Sequence, residues 1–203
     1  MYAPKHFALE DRDELISFVR REPFGILVSN DAGGLIATHV PFVVLDAADT
    51  FVLGLHLARA NPHWKTLDGK HVLAILQGAH AMISAAWYAA PQLSVPTWNY
   101  SAVHCAGTAR IADAQGTRAI LERMVSQFEP SWRIENADEP YIARMQQAVA
   151  GIRIDVERVD GVRKYSQNRT AEDRLRVITQ LESSGRAMDR EVAREMRTGA
   201  VET

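Results

Sequence analysis

A succession of short apolar runs, each closed within a few residues by turn-forming residues, most constrains how this chain can fold. Residues 24–29 form one such run. Asn30-Asp31-Ala32-Gly33-Gly34 closes it and residues 35–44 return from the turn, the pattern of a strand, a tight turn and a second strand. Pro41 inside the return run demands an edge, a bulge or a bend, because proline cannot donate to a sheet ladder. Further strands are expected at 51–57, at 71–76 and 81–88 on either side of Gly78, and at 98–112 around Gly107. These six are joined by short turns with no βαβ alternation, which argues for an antiparallel barrel and against a parallel sheet.

Helical spacing flanks the strands. Residues 11–21 place Leu15, Ile16, Phe18 and Val19 on one face behind a capping Asp11. A short helix is expected from Asn61-Pro62 through Leu67, since Asn caps well and proline suits a first turn. Later helices are expected at 116–128 and at 140–150, the latter started by Pro140 and stopped by Gly151. Ile152, Ile154 and Val156 alternate with charges as a late strand that closes the sheet, and helices near 171–182 and 188–197 finish the chain. The fold class read from this is α+β, mainly β: a six-stranded antiparallel barrel with flanking helices and a C-terminal helical segment. With 203 residues the chain is read as one domain, with about 1–169 forming the barrel and its packed helices and about 170–203 a helical extension.

Composition bounds the partners. A net charge of −2 gives no general pull toward nucleic acid or acidic lipid. Cys105 is the only cysteine, so no intrachain disulfide can form, and a reducing, cytoplasmic setting fits. The N-terminus has no basic stretch followed by an apolar one, so no signal peptide is expected. The most apolar window, 72–90, is interrupted by Gln77, His80 and Ser84 and reads as strands, so no membrane partner is expected. The seven histidines show no metal-ligand spacing, and no metal is expected.

Three segments could carry chemistry. In Leu55-His56-Leu57-Ala58-Arg59-Ala60-Asn61-Pro62 a strand ends, an arginine appears and a helix N-terminus follows. Arg59 could fork onto a phosphate there with Lys65 adding charge; the ordinary alternative is an arginine paired with a surface carboxylate. In Val95-Pro96-Thr97-Trp98-Asn99-Tyr100 the two aromatics share a face if extended. They could stack on a flat ring while Thr97 and Asn99 hydrogen-bond its edge, or they could simply fill a core. Lys164-Tyr165-Ser166-Gln167-Asn168-Arg169 is dense in hydrogen-bonding groups and could grip a ligand or a partner, or serve as a capping loop. No acid, base or nucleophile declares itself, and His39 and His104 are candidates on side-chain type alone.

These same strings resemble the PaiB family of FMN-binding negative transcriptional regulators. The likeness begins with Met1-Tyr2-Ala3-Pro4 and runs through Ala37-Thr38-His39-Val40-Pro41-Phe42, the 56–62 string, Trp87-Tyr88 and the 95–100 string, ending with Ser166-Gln167-Asn168-Arg169. One departure is Ala85-Ala86, where that family usually carries Pro-Ser. The resemblance implies an FMN-binding split barrel related to the pyridoxamine-phosphate oxidase superfold, working as a homodimer whose interface builds two flavin sites. It puts the FMN phosphate at Arg59, Asn61 and Lys65. It puts His39, Val40 and Pro41 with Thr97, Trp98, Asn99 and Tyr100 near the ring, and Ser166, Gln167, Asn168 and Arg169 at the flavin or the partner subunit.

The resemblance alone implies a regulatory role and a DNA partner. The segment 170–203 holds six Arg against seven Asp or Glu, which guarantees no basic face. The alternatives are an FMN-dependent oxidoreductase using NAD(P)H on a small molecule and, less favoured, a haem-binding split barrel.

Overall fold

The computed structural model describes residues 1–198. Its strands are β1 (Ala8–Leu9), β2 (Phe24–Asp31), β3 (Gly34–Pro41), β4 (Val43–Asp46), β5 (Val52–Ala58), β6 (His71–Ile83), β7 (Thr97–Ile111) and β8 (Val149–Lys164). Its helices are α1 (Arg12–Arg21), α2 (Ala114–Phe128), α3 (Glu139–Gln147), α4 (Ala171–Ser183) and α5 (Ala187–Thr198). The strand order is β3-β2-β6-β7-β8-β5-β4, with β1 paired to β8; β2 runs antiparallel to β3 and β6, β5 to β4 and β8, and β1 to β8. This is the antiparallel barrel class expected from the strand spacing, and the split barrel that the resemblance implies, with more strands than the six read from the sequence.

The differences have local causes. The 35–44 run divides at Phe42, because Pro41 ends β3, and β3 is the terminal strand of the order, where a missing N–H is tolerated. The 71–76 and 81–88 runs merge into β6. Burial alternates up to Leu76 and slips by one at Gly78 and Ala79, so the chain stays extended where the glycine suggested a turn. Ser84 then caps a 3-10 turn over Ala85–Trp87, its Oγ accepting from the Ala86 N–H at 3.2 Å; this turn forms without a proline. Gly151 does not stop a helix. α3 ends at Gln147 and Gly151 lies inside β8, where a Cβ would sit 2.6 Å from Thr117 Oγ1 on α2.

The chain divides into two compact units. One comprises Asp11–Leu76 and His104–Val159. In it α1 buries Leu15, Ile16, Phe18 and Val19, as its spacing predicts, and β5 buries Leu53, Leu55 and Leu57. The other comprises Met1–Glu10, Gln77–Val103 and the chain from Asp160 onward. There Val177, Ile178 and Leu181 of α4 and Val192, Ala193 and Met196 of α5 join Ala79, Ala81 and Ile83 of β6, with Tyr88 and Tyr165, in one apolar cluster. These C-terminal helices are part of that unit's core. No helix among the described residues is long and apolar enough to cross a membrane.

Candidate functional site

β5 delivers the first constellation. Leu57 is buried, but Ala58, Arg59 and Ala60 emerge into solvent. The Arg59 N–H donates to the Ala148 carbonyl at 2.8 Å and the Asn61 N–H returns to the Ala58 carbonyl at 2.9 Å, which fixes the turn. The expected helix is a five-residue 3-10 turn, Pro62–Thr66, and Asn61 Oδ1 accepts from the His63 N–H at 3.0 Å. So short a turn has little dipole, and its cap consumes the Asn61 carbonyl. Any anion here would be held by side chains.

Those side chains are in place. The Arg59 guanidinium lies 5.0 Å from the Trp64 ring centroid and Lys65 Nζ lies 6.0 Å from the same ring. Trp64 Nε1 donates to the Arg59 carbonyl at 3.1 Å. Both cations are exposed, and neither meets a carboxylate among the described residues. Trp64 escaped the sequence reading, although an aromatic five residues after an arginine across a tight turn was the available signal.

Beneath the turn His63 is 1% exposed. Ser29 Oγ on β2 lies 2.8 Å from its Nε2 and Thr38 Oγ1 on β3 lies 2.7 Å from its Nδ1. A neutral imidazole has one donor and one acceptor nitrogen, so one hydroxyl accepts and the other donates. Asn61 Nδ2 reaches the same Thr38 hydroxyl at 3.5 Å. His63 thus pins the Arg59 turn to two strands. Burial pushes its pKa below the ordinary value, against a smaller opposing pull from Asp31. Burial does the same to His56, whose Nδ1 lies 3.1 Å from Met124 Sδ.

Both imidazoles stay neutral in the folded chain at a pH where the unfolded chain takes up a proton. Their stabilising effect is therefore complete above the unfolded pKa of about 6.5 and is lost as pH falls through it toward the depressed folded pKa. Urea midpoints should drop between about pH 7.5 and about pH 5.5, and His63→Gln should narrow that drop. An identical drop in the variant would remove His63 from the effect. Of the neighbouring string, Val40 is core, Pro41 is half-buried, and His39 is exposed, stacked on Phe24 with centroids 6.4 Å apart.

The second constellation belongs to the other unit. Strand alternation in β7 leaves Trp98 51% exposed and Asn99 fully buried. Asn99 Nδ2 donates to Ser166 Oγ at 3.0 Å, and the same hydroxyl lies 3.2 Å from Asn99 Oδ1. Ser166 itself adopts φ +62°, a left-handed conformation that this buried bond helps to hold. Gln167 accepts from the Tyr165 N–H at 2.7 Å and donates to the Arg163 carbonyl at 2.6 Å. Asn99, Ser166 and Gln167 are thus engaged internally. Trp98 and Asn168 remain exposed, and Tyr100 is half-buried against the cluster of Phe7, Ala102 and Val162. Arg169 stacks 4.4 Å from the Tyr88 ring centroid. Thr97 accepts from Lys164 Nζ at 2.6 Å, and burial lowers the pKa of that lysine.

A family model described as "Putative FMN-binding domain" matches residues 1–158. The chain belongs to this FMN-binding family. It is 33% identical over 193 residues to the protease synthase and sporulation protein PAI 2 of Bacillus subtilis, covering 90% of each chain. Two solved structures share the fold. The FAD and heme binding protein of Mycobacterium smegmatis is 12% identical, covered at 83% of this chain and 78% of that one, with a TM-score of 0.63. The flavocytochrome Anf3 of Azotobacter vinelandii is 16% identical, covered at 80% and 72%, with a TM-score of 0.64.

FMN is the cofactor of this family. The donors of one unit fit its phosphate: Arg59 and Lys65 are exposed cations that meet no carboxylate among the described residues.

Proposed function

We propose that Arg59 and Lys65 hold the FMN phosphate and that the chain acts as a cytoplasmic homodimer, one FMN-binding domain per subunit, in a regulatory role. The observation that carries the phosphate assignment is the Arg59 guanidinium, exposed, stacked on Trp64 and free of any carboxylate among the described residues. His39, Val40 and Pro41 on β3, Thr97, Trp98, Asn99 and Tyr100 on β7, and the Ser166–Arg169 string are assigned to the ring or to the partner subunit. Within this set Trp98 offers the stacking surface, and Asn99 and Ser166 set its backing. Bound FMN supplies the redox chemistry of its isoalloxazine; these residues bind, orient and shield it.

The regulatory reading draws on the Bacillus subtilis relative, whose name ties it to protease synthesis and sporulation. Direct DNA reading by α4 and α5 has no support in their charges. Arg176 pairs with Glu172, Arg186 with Asp189, Arg194 with Glu191 and Arg197 with Glu182, while Arg174 and Arg190 bond the Met196 and Ser184 carbonyls. A phosphate-binding face needs unpaired cations. The role is therefore assigned to the flavin-loaded dimer acting through another protein.

The deciding experiment titrates apo-protein with FMN and with riboflavin, read by flavin fluorescence. FMN should bind at least tenfold more tightly, the scale of one charged hydrogen bond. Equal affinities would overturn the phosphate assignment. NAD(P)H oxidation by the loaded protein well above that of free FMN would overturn the regulatory reading in favour of an oxidoreductase.

A further inference from the structure

Lys164 ends β8 as a half-buried cation without a counter-charge. Its Nζ donates to Thr97 Oγ1 at 2.6 Å and lies 5.9 Å from the Phe7 ring centroid. No carboxylate among the described residues pairs with it. Asp160, two positions earlier on the strand, is engaged by the Met1 amino group at 2.7 Å. An ammonium carries three donors, and one neutral hydroxyl replaces little of the hydration lost on burial. Burial accordingly lowers the pKa of this lysine. A desolvated cation with no counter-charge, beside an open aromatic face, marks a site on physical grounds.

That face is the one that carries Trp98. β7 runs between β6 and β8 in the sheet. Asn99 and Ser101 turn to the side covered by α4 and α5, where they bond Ser166 and Tyr165. Trp98 and Tyr100 turn to the other side, where Tyr100 packs with Phe7, Ala102 and Val162. Val162 and Lys164 alternate onto this same side of β8, and the ammonium stands over Phe7. From β6, His80 brings its ring centroid to 6.3 Å from that of Trp98. The exposed indole therefore lies on the strand between an imidazole from β6 and an ammonium from β8, all within one compact unit.

We infer that Lys164 sets the redox poise of the flavin, its ammonium offering charge and donors to the pyrimidine edge of a ring stacked on Trp98. The inference rests on the ring assignment made above and deepens it by giving that site an electrostatic task. The chemistry fixes the sign. Two electrons and one proton turn the neutral isoalloxazine into an anion whose charge lies along N1 and the C2 carbonyl. A fixed ammonium at that edge stabilises the charged form more than the neutral one, and half-burial leaves it less screened by water. The Thr97 bond holds the ammonium in place before any ligand arrives, so little side-chain freedom is lost on binding.

The test measures dissociation constants for oxidised FMN and, under nitrogen, for dithionite-reduced FMN in the native full chain, Lys164→Met, Lys164→Arg and Trp98→Ala. Methionine keeps the packing against Phe7 without the charge, and removing a desolvated charge should leave the urea midpoint unchanged or higher. In Lys164→Met the ratio of oxidised to reduced constants should fall roughly tenfold or more, about 30 mV in two-electron potential. Lys164→Arg should keep most of the native ratio. A merely structural lysine would change both constants alike and leave the ratio where it was. An unchanged ratio in Lys164→Met, with both affinities kept or both lost in equal measure, overturns the inference and leaves the ring assignment standing. Trp98→Ala should weaken both forms together, and undiminished affinity there overturns the ring assignment and the inference with it.

Discussion

Arg59→Ala is expected to weaken FMN binding by about 1.5–3 kcal/mol, roughly ten- to a hundredfold, and to leave riboflavin binding unchanged. The range is that of a charged hydrogen bond to a group the solvent can reach. Three features make the residue worth that much. Its guanidinium has no carboxylate to surrender among the described residues, so binding breaks no ion pair. It is held over Trp64, so little rotamer freedom is lost when phosphate arrives. Its backbone is fixed by the Ala148 carbonyl. Because the side chain is exposed, the fold should tolerate the change. Arg59→Lys keeps the charge but not the planar fork and should recover only part of the loss. The advantage of FMN over riboflavin should also shrink with added salt, since exposed charges are screened. Fluorescence titration of the three proteins with both flavins measures all of this, and an unaltered FMN constant in Arg59→Ala would move the phosphate elsewhere.

Gly107→Val should be among the most damaging single changes to stability, costing about 3 kcal/mol or more. A Cβ at Gly107 would lie 2.1 Å from the Asp155 carbonyl oxygen and 2.8 Å from the Val156 Cα. These obstacles are backbone atoms of β8, and no side-chain rotation relieves them. β7 or β8 must move, and with it the two ladders that β8 shares with β5 and β1. At the usual scaling of about 2–4 °C per kcal/mol for a chain of this size, the midpoint should fall by roughly 6–12 °C. Gly185→Ala is the control: no heavy atom lies within 4 Å of its Cβ position, and its midpoint should hardly change. Equal midpoints for the two variants would mean that the strands separate there without cost.

Much of this architecture was legible in the sequence, because alternation and spacing are local. α1 carries its buried face where the 3.6 period puts it, and Trp98 and Asn99 fall on opposite sides of β7 as a strand requires. What was illegible depends on distant partners. Gly78 looks like a turn because glycine permits one, yet its neighbouring runs continue as one strand. Gly151 looks like a helix stop, but the packing of α2 across β8 decides its place. At the site the sequence pointed to Arg59 and Lys65 by charge and position. It gave no sign that His63 would bond hydroxyls 34 and 25 residues before it, nor that Asn99 would close on Ser166, 67 residues later. The family likeness marked those strings as important without separating the groups that face a ligand from those that hold the frame.

The indole beneath Arg59 has an optical consequence. Flavins absorb where tryptophan emits, so a flavin anchored at this guanidinium accepts excitation from Trp64 and dims it, while the other three tryptophans respond according to their own distances. The chain carries its own occupancy gauge, readable on unlabelled protein and silenced selectively by Trp64→Phe.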